Sequence, residues 1–228
     1  MDQIKVIGFD ADDTLWVNEP YYQQAEKLFC ELLKNHLPTK DISAELLKTE
    51  MDNIERYGYG AKGFVLSMIE TALRISNKTI SPEAIGTIIT IGKELLEKPI
   101  ELLDNIDLVL NELKTNYILI IATKGDLLDQ HRKINNSGLI HHFNHIEIMH
   151  DKTESEYQKL IKRLNIRNEE FLMIGNSVKS DVLPVLSIGA QAIHIPYHVT
   201  WQHETANDQS ASIQYKEISK LTDLLKIL

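Results

Sequence analysis

The chain has 228 residues, 43% hydrophobic and 25% charged, proportions that are usual for a globular protein. Its net charge of −9 argues against a nucleic acid polymer or an anionic membrane as a partner, because both would be repelled. The single cysteine, Cys30, allows no internal disulfide, and no apolar run is long enough to span a bilayer. We therefore expect a cytoplasmic protein with room for one or two domains, whose oligomeric state is unknown.

Helical patterns dominate the first part of the chain after one short strand. The apolar run 4–9 is typical of a buried strand. Strand signals are then absent over residues 17–99, where apolar residues recur at helical spacing in four stretches: 21–34, 46–54, 64–73 and 82–96. The last stretch has a typical helix start, with Ser81 as the N-cap and Pro82 in the first helical position. This block is predicted to be all-α.

Strands and helices alternate from about residue 100. The patterns predict strands at 117–122, 145–149, 171–174 and 190–195, and helices at 106–113, 127–134, 157–164 and 182–188. Such alternation indicates an α/β fold, a doubly wound, Rossmann-like parallel sheet with helices on both faces. The first strand belongs to this sheet, so we expect a core domain of residues 1–16 and 100–228. The all-α block 17–99 is then an inserted cap domain above the strand ends.

Polar side chains follow four of the predicted strands. The carboxyl ends of parallel strands meet at one edge of the sheet, where such folds bind ligands. The candidate residues, strand by strand, are Asp10, Asp12 and Thr14; Thr123, Lys124 and Gly125; Lys152; and Asn176 and Asp181. Since four successive strand ends carry this chemical assortment, we predict a single site there.

Oxygen-bearing side chains in this set indicate a hard cation. Asp10, Asp12, Asn176 and Asp181 offer carboxylate and amide oxygens, which suit Mg²⁺ rather than zinc. Such a cation would neutralise part of the charge of a bound phosphoryl group.

The remaining residues suit a phosphoryl group. Thr123 offers a hydroxyl and Lys152 a cation, while Lys124 and Gly125 lead into a helix whose N-terminus favours phosphate. A carboxylate nucleophile at Asp10 could attack phosphorus and form an aspartyl-phosphate.

These motifs resemble those of the haloacid dehalogenase superfamily of hydrolases, in order across residues 6–181. Asp10-Ala11-Asp12-Asp13-Thr14 matches D-x-D-x-T. The resemblance implies Asp10 as nucleophile and Mg²⁺ ligand, and Asp12 as general acid/base and ligand through its backbone carbonyl. It implies that Thr123 binds the transferring phosphoryl group and that Lys152 holds nucleophile and phosphate together. The segment 17–99 occupies the position of the family's helical (C1-type) cap.

The fourth motif, Gly175-Asn176 through Asp181, departs from the family pattern G-D-x-x-x-x-D, because Asn176 stands where an aspartate is usual. An amide oxygen still coordinates Mg²⁺, so we expect altered rather than lost metal binding, and which of these two residues touches the ion stays open.

Asp12 bears on the choice of reaction, because dehalogenases of this superfamily lack it. We therefore expect a Mg²⁺-dependent phosphatase, a phosphoric monoester hydrolase, acting on a small phosphorylated metabolite through an aspartyl-phosphate. A phosphomutase of the same superfamily and a non-catalytic phosphometabolite-binding protein are the alternatives.

Overall fold

The computed structural model describes residues 3–204 and 214–228, and in these ranges it contains one parallel six-stranded sheet. The strands are β1 (Val6–Phe9), β2 (Ile118–Lys124), β3 (His145–Met149), β4 (Phe171–Gly175), β5 (Gln191–His194) and β6 (Lys216–Glu217). Their spatial order is β3-β2-β1-β4-β5-β6. The predicted α/β, doubly wound, Rossmann-like fold is confirmed.

The helices are α1 (Glu19–Leu33), α2 (Thr39–Tyr57), α3 (Ala61–Ile75), α4 (Pro82–Leu96), α5 (Ile106–Leu113), α6 (Leu127–Asn136), α7 (Glu154–Arg163) and α8 (Leu183–Ser187). Within the described ranges, none is long and apolar enough to cross a membrane. Most predicted elements are confirmed to within a few residues at each end. The predicted helix 182–188 is shorter, because a π-helical turn (Val178–Val182) precedes it.

Both faces of the sheet are covered by apolar side chains. Successive residues of a strand point to opposite faces, so Ile7 and Phe9 of β1 pack with α5, while Val6 packs in a second cluster with Tyr157 and Leu160 of α7. Because both faces of the sheet are covered by apolar side chains, the polar side chains lie at the strand ends.

The chain divides into two compact units. The sheet unit comprises Met1–Glu19, Ile100–Lys124 and Gln130–Leu228, and the helical unit comprises Pro20–Pro99 and Gly125–Asp129. The helical unit has its own apolar core, which includes Phe29, Leu46, Met68 and Ile88. The short segment 125–129 was not expected in this unit. The action of residues 17–99 as a cap stays a prediction.

Candidate active site

Asp10, Thr14 and Asn176 share one hydrogen-bond network at the carboxyl end of the sheet. Asp10 directly follows β1, and its backbone N–H donates to the carbonyl of Ile174 over 2.8 Å. The Thr14 hydroxyl lies 3.0 Å from Asp10 Oδ2 and 3.3 Å from Asn176 Oδ1. It also accepts a hydrogen bond of 3.1 Å from the backbone N–H of Asn176. A hydroxyl has one hydrogen and can satisfy only one of the two oxygens at a time.

Lys152 joins Asp10 to Asp181. Its ammonium group donates to Asp10 Oδ1 and, over 2.5 Å, to Asp181 Oδ1. All three residues are buried, with 6%, 5% and 1% of Asp10, Lys152 and Asp181 exposed. Two carboxylates therefore share one ammonium group, which leaves a negative charge in a buried place unless a proton or a cation compensates it.

The ionisation of this cluster reflects both burial and charge. Burial raises the pKa of Asp10, with the Lys152 ammonium acting in the opposite direction and the Asp181 carboxylate adding to the rise. Burial alone would lower the pKa of Lys152, but the charges of Asp10 and Asp181 outweigh it and hold that pKa above its ordinary value. Lys152 is therefore a fixed positive charge beside the predicted nucleophile.

The loop after β4 places Asp181 at the site. The π-helical turn carries Asp181 back toward the strand end, where the backbone N–H of Ser177 donates to Asp181 Oδ2 over 3.0 Å. A Cβ atom on Gly175 would lie 2.3 Å from both Cγ and Oδ2 of Asp181. Only glycine leaves room for the carboxylate at this position.

The donor set fits a hard divalent cation. Asp10, Asn176 and Asp181 bring oxygen atoms to one network. The Thr14 hydroxyl donates to either Asp10 Oδ2 or Asn176 Oδ1 but not to both, so one of these two oxygens lacks that hydrogen bond. The uncompensated negative charge around Lys152 adds a second reason for a cation. The donor set therefore suits a hard divalent cation, while Mg²⁺ itself and the ligand roles of individual residues stay predictions.

The Asp12 carboxylate points to a different set of partners. It accepts hydrogen bonds from Trp16 Nε1 at 2.7 Å and from Gln130 Nε2 at 2.9 Å. Lys133 Nζ lies 3.0 Å and 2.9 Å from its two oxygens. Gln130 and Lys133 were not predicted as site residues, since both belong to the predicted helix 127–134 and match no motif.

Asp13 has a structural role next to the motif. Its carboxylate accepts from the backbone N–H groups of Asn18, at 2.8 Å, and Glu19, at 2.9 Å, and so caps the start of α1. Its backbone has a φ of 60°, a left-handed conformation. Burial raises the pKa of Asp13 to about 7, and the bonds to Asn18 and Glu19 oppose that rise.

The three residues predicted after the second strand lie in different settings. Thr123 is buried within β2. Lys124 donates to Ser180 Oγ at 2.8 Å and to Glu204 Oε1 at 2.5 Å. Gly125 belongs to the helical unit and has a φ of 144°. The substrate-binding roles predicted for these residues therefore stay predictions.

Glu204 was not expected at this place. Its second oxygen accepts from the hydroxyls of Ser177 and Ser180, the latter at 2.6 Å. Burial would raise the pKa of Glu204, but the Lys124 ammonium and the hydroxyls hold it down at about 2. Glu204 thus connects the segment after β5 to the end of β2 and to the segment after β4.

Two histidines occupy defined positions. The ring of His194 lies between the Asn176 carbonyl oxygen, at 3.0 Å, and Glu217 Oε2, at 2.9 Å, and so supports the loop that carries Asn176. His142 is buried, with Asp107 2.8 Å from one ring nitrogen and Lys114 3.3 Å from the other.

Comparison with known proteins gives consistent matches. A family model of haloacid dehalogenase-like hydrolases matches residues 4–189. A solved hydrolase of that family from Xanthomonas campestris is 35% identical, covers 99% of this chain and 91% of its own, and superposes with a TM-score of 0.87. A glyceraldehyde 3-phosphate phosphatase of Pyrococcus furiosus is 25% identical over 100% of this chain and 94% of its own. A magnesium-bound hydrolase of Bacillus subtilis shares the fold at 20% identity, 99% coverage of both chains and a TM-score of 0.67.

Proposed function

We propose that this chain, which belongs to the haloacid dehalogenase-like hydrolases, is a Mg²⁺-dependent phosphatase for a small phosphorylated metabolite. The observation that carries the proposal is one network in which Asp10, Lys152 and Asp181 are buried and to which Thr14 connects the partly buried Asn176. Two relatives, from Pyrococcus furiosus and Methanothermobacter thermautotrophicus, are glyceraldehyde 3-phosphate phosphatases, which makes a three-carbon phosphate ester the first substrate to test.

The reaction has two steps at Asp10. An Asp10 carboxylate oxygen attacks the phosphorus atom, the bond to the ester oxygen breaks, and Asp12 gives that oxygen a proton. Asp12 then takes a proton from a water molecule, which attacks the aspartyl-phosphate and releases inorganic phosphate. Lys152 beside Asp10 and the hydroxyl of Thr123 hold the transferring group throughout.

The oxygens of Asp10, Asn176 and Asp181, with the backbone carbonyl of Asp12, would hold the Mg²⁺ ion. When bound, Mg²⁺ neutralises charge on the phosphoryl oxygens. Because Asn176 is neutral, the protein contributes one negative charge fewer to the ion than an aspartate there would. We expect half-maximal activity to need more Mg²⁺ in the native chain than in Asn176→Asp.

Substrate selection falls to two further regions in this proposal. Lys124 and Gly125 directly follow Thr123, the residue proposed to bind the phosphoryl group. Residues 17–99, as a helical cap, choose among the leaving groups of phosphate esters.

Phosphate release from a panel of sugar phosphates, nucleotides, phosphoglycolate and glyceraldehyde 3-phosphate tests this function. Asp10→Asn is expected to lose at least about 10³-fold in kcat, because the amide is a poor nucleophile. EDTA should abolish turnover and Mg²⁺ restore it. Asp104→Asn, an equivalent change at an exposed position shortly before α5, is the control and should be fully active.

Unchanged turnover in Asp10→Asn would contradict the covalent route. Movement of phosphate between positions of one sugar, with little free phosphate, would instead indicate the phosphomutase.

A further inference from the structure

Both oxygens of the Asp12 carboxylate are saturated with donors. Oδ1 accepts from Trp16 at 2.7 Å and from Lys133 at 3.0 Å, and Oδ2 accepts from Gln130 and from Lys133, each at 2.9 Å. A carboxylate has about four lone-pair positions, so these four contacts fill them. The carboxylate is thereby fixed in one orientation.

Gln130 and Lys133 form a pair on α6. They are three positions apart, which puts their side chains on the same face of the helix. Only 3% of Gln130 and 9% of Lys133 are exposed. Both residues contact the side chain of Asp12, which is far from them in sequence.

Stability alone does not explain this pair. Burying a lysine ammonium costs free energy, and well-packed apolar residues of similar size often serve as well or better. The amide oxygen of Gln130 is buried and has no hydrogen-bond partner among the described residues, a further cost. Residues retained at such cost are candidates for a role in the reaction.

Lys133 also has a second acceptor. Its ammonium group donates to Asn18 Oδ1 over 2.7 Å. An ammonium group has three hydrogens, and Asn18 and the two oxygens of Asp12 accept them, so the group is held in place.

We propose that Gln130 and Lys133 are positioning residues that hold the Asp12 carboxylate for proton transfer to the leaving group. This inference rests on the proposed function, in which Asp12 is the general acid. General acid catalysis depends on the placement of the acid relative to the oxygen it protonates, and typically contributes about 10²–10⁴-fold.

The leaving group provides a specific readout. An alkoxide departing from glycerol phosphate or glyceraldehyde 3-phosphate needs a proton, whereas p-nitrophenolate departs without one. The ratio kcat/KM covers steps only up to release of the leaving group, so it is insensitive to the later hydrolysis of the aspartyl-phosphate. A misplaced acid therefore lowers kcat/KM for alkyl esters selectively.

The experiment measures kcat/KM for both ester types in Lys133→Met and in Gln130→Leu. Gln130→Leu keeps the ion pair between Lys133 and Asp12 and therefore serves as the second variant if Lys133→Met folds poorly. We expect Lys133→Met to lower kcat/KM for the alkyl ester about 10–100-fold and to leave that for p-nitrophenyl phosphate nearly unchanged. Gln130→Leu should show the same selectivity with a smaller loss, and Lys133→Arg, which keeps two donors for the carboxylate, should restore part of it.

Lys162→Met, at an exposed position of α7, is the charge-matched control and should behave as wild type with both esters. Equal losses for both esters in Lys133→Met and Gln130→Leu, or no loss in either, would overturn this inference and leave the phosphatase proposal intact. A wild-type protein that hydrolyses neither ester would overturn both.

Discussion

Replacing Gly175 with alanine is expected to displace Asp181 and to damage both stability and turnover. The new Cβ would lie 2.3 Å from Cγ and Oδ2 of Asp181, well inside van der Waals contact. Neither group has room to yield, because Asp181 is 1% exposed and is held by Lys152 and by the backbone of Ser177. The carboxylate must therefore leave its place beside Lys152.

The magnitude follows from two costs. Overpacking a buried site costs about 1–3 kcal/mol. Separating a buried ion pair costs about 3–5 kcal/mol. This cost is an upper limit here because Lys152 keeps its ion pair with Asp10. We expect the free energy of unfolding to fall by about 2–5 kcal/mol, within the span of these two costs. Lys152 should then be placed less firmly, which is expected to lower kcat/KM about 10–100-fold. Each tenfold loss corresponds to about 1.4 kcal/mol of activation free energy.

Urea unfolding and steady-state turnover of Gly175→Ala measure these two effects. Gly92→Ala is the matched control, because its Cβ would lie 2.1 Å from Val65 Cγ2 and both residues belong to the helical unit. It should be destabilised with little change in kcat/KM. Gly86→Ala, with nothing within 4 Å of the new atom, should gain about 1 kcal/mol of stability.

Wild-type kcat/KM in a folded Gly175→Ala would refute the reasoning, since Asp181 would then be displaced without consequence. A loss of activity in Gly92→Ala as large as in Gly175→Ala would also refute it, because general instability would account for both.

Two further predictions concern pH. The pKa of Glu204 is held at about 2, below its ordinary 4.5, so its charge contributes stability of up to about 3 kcal/mol above pH 4.5 that is lost as the pH falls toward 2. Glu204→Gln should be less stable than wild type in urea at pH 7 and equal near pH 2; a difference independent of pH would contradict this. Burial and the nearby Glu26 raise the pKa of Glu50 to about 8, so folding loses stability as the pH rises from 4.5 to 8. Glu50→Gln should melt at a higher temperature than wild type at pH 8 and at the same temperature near pH 4; identical melting at pH 8 would count against it.

Local patterns were enough to predict the framework of the sheet unit. The strand 145–149 has the predicted bounds, and so has the helix 106–113, because apolar periodicity reflects burial of those segments directly. β2 runs to Lys124, beyond its predicted end, since strand pairing with β3 continues past the last apolar residue. β6 was missed because two exposed residues carry no pattern.

The partners of the site residues could not be predicted in the same way. Lys133 reaches Asp12 across 121 positions, and Lys124 reaches Glu204 across 80. Each contact depends on how helices and loops are arranged in space, and a lysine on a helix face looks the same in sequence whether it is solvated or buried. Asp10 and Lys152 were predicted to act together because parallel strand ends share an edge and because the motif resemblance implies it.

The central place of β1 has a consequence for how the protein is made. Val6 pairs with Ile118 on one side and with Phe171 on the other, so the strand that precedes Asp10 has no neighbour until more than half of the chain has left the ribosome. Until then, β1 is an apolar segment of the nascent chain with both edges unpaired, and chaperones or other chains can bind it. Asp10, the proposed nucleophile, is therefore synthesised among the first residues and is fixed in the sheet only after more than half of the chain has been made.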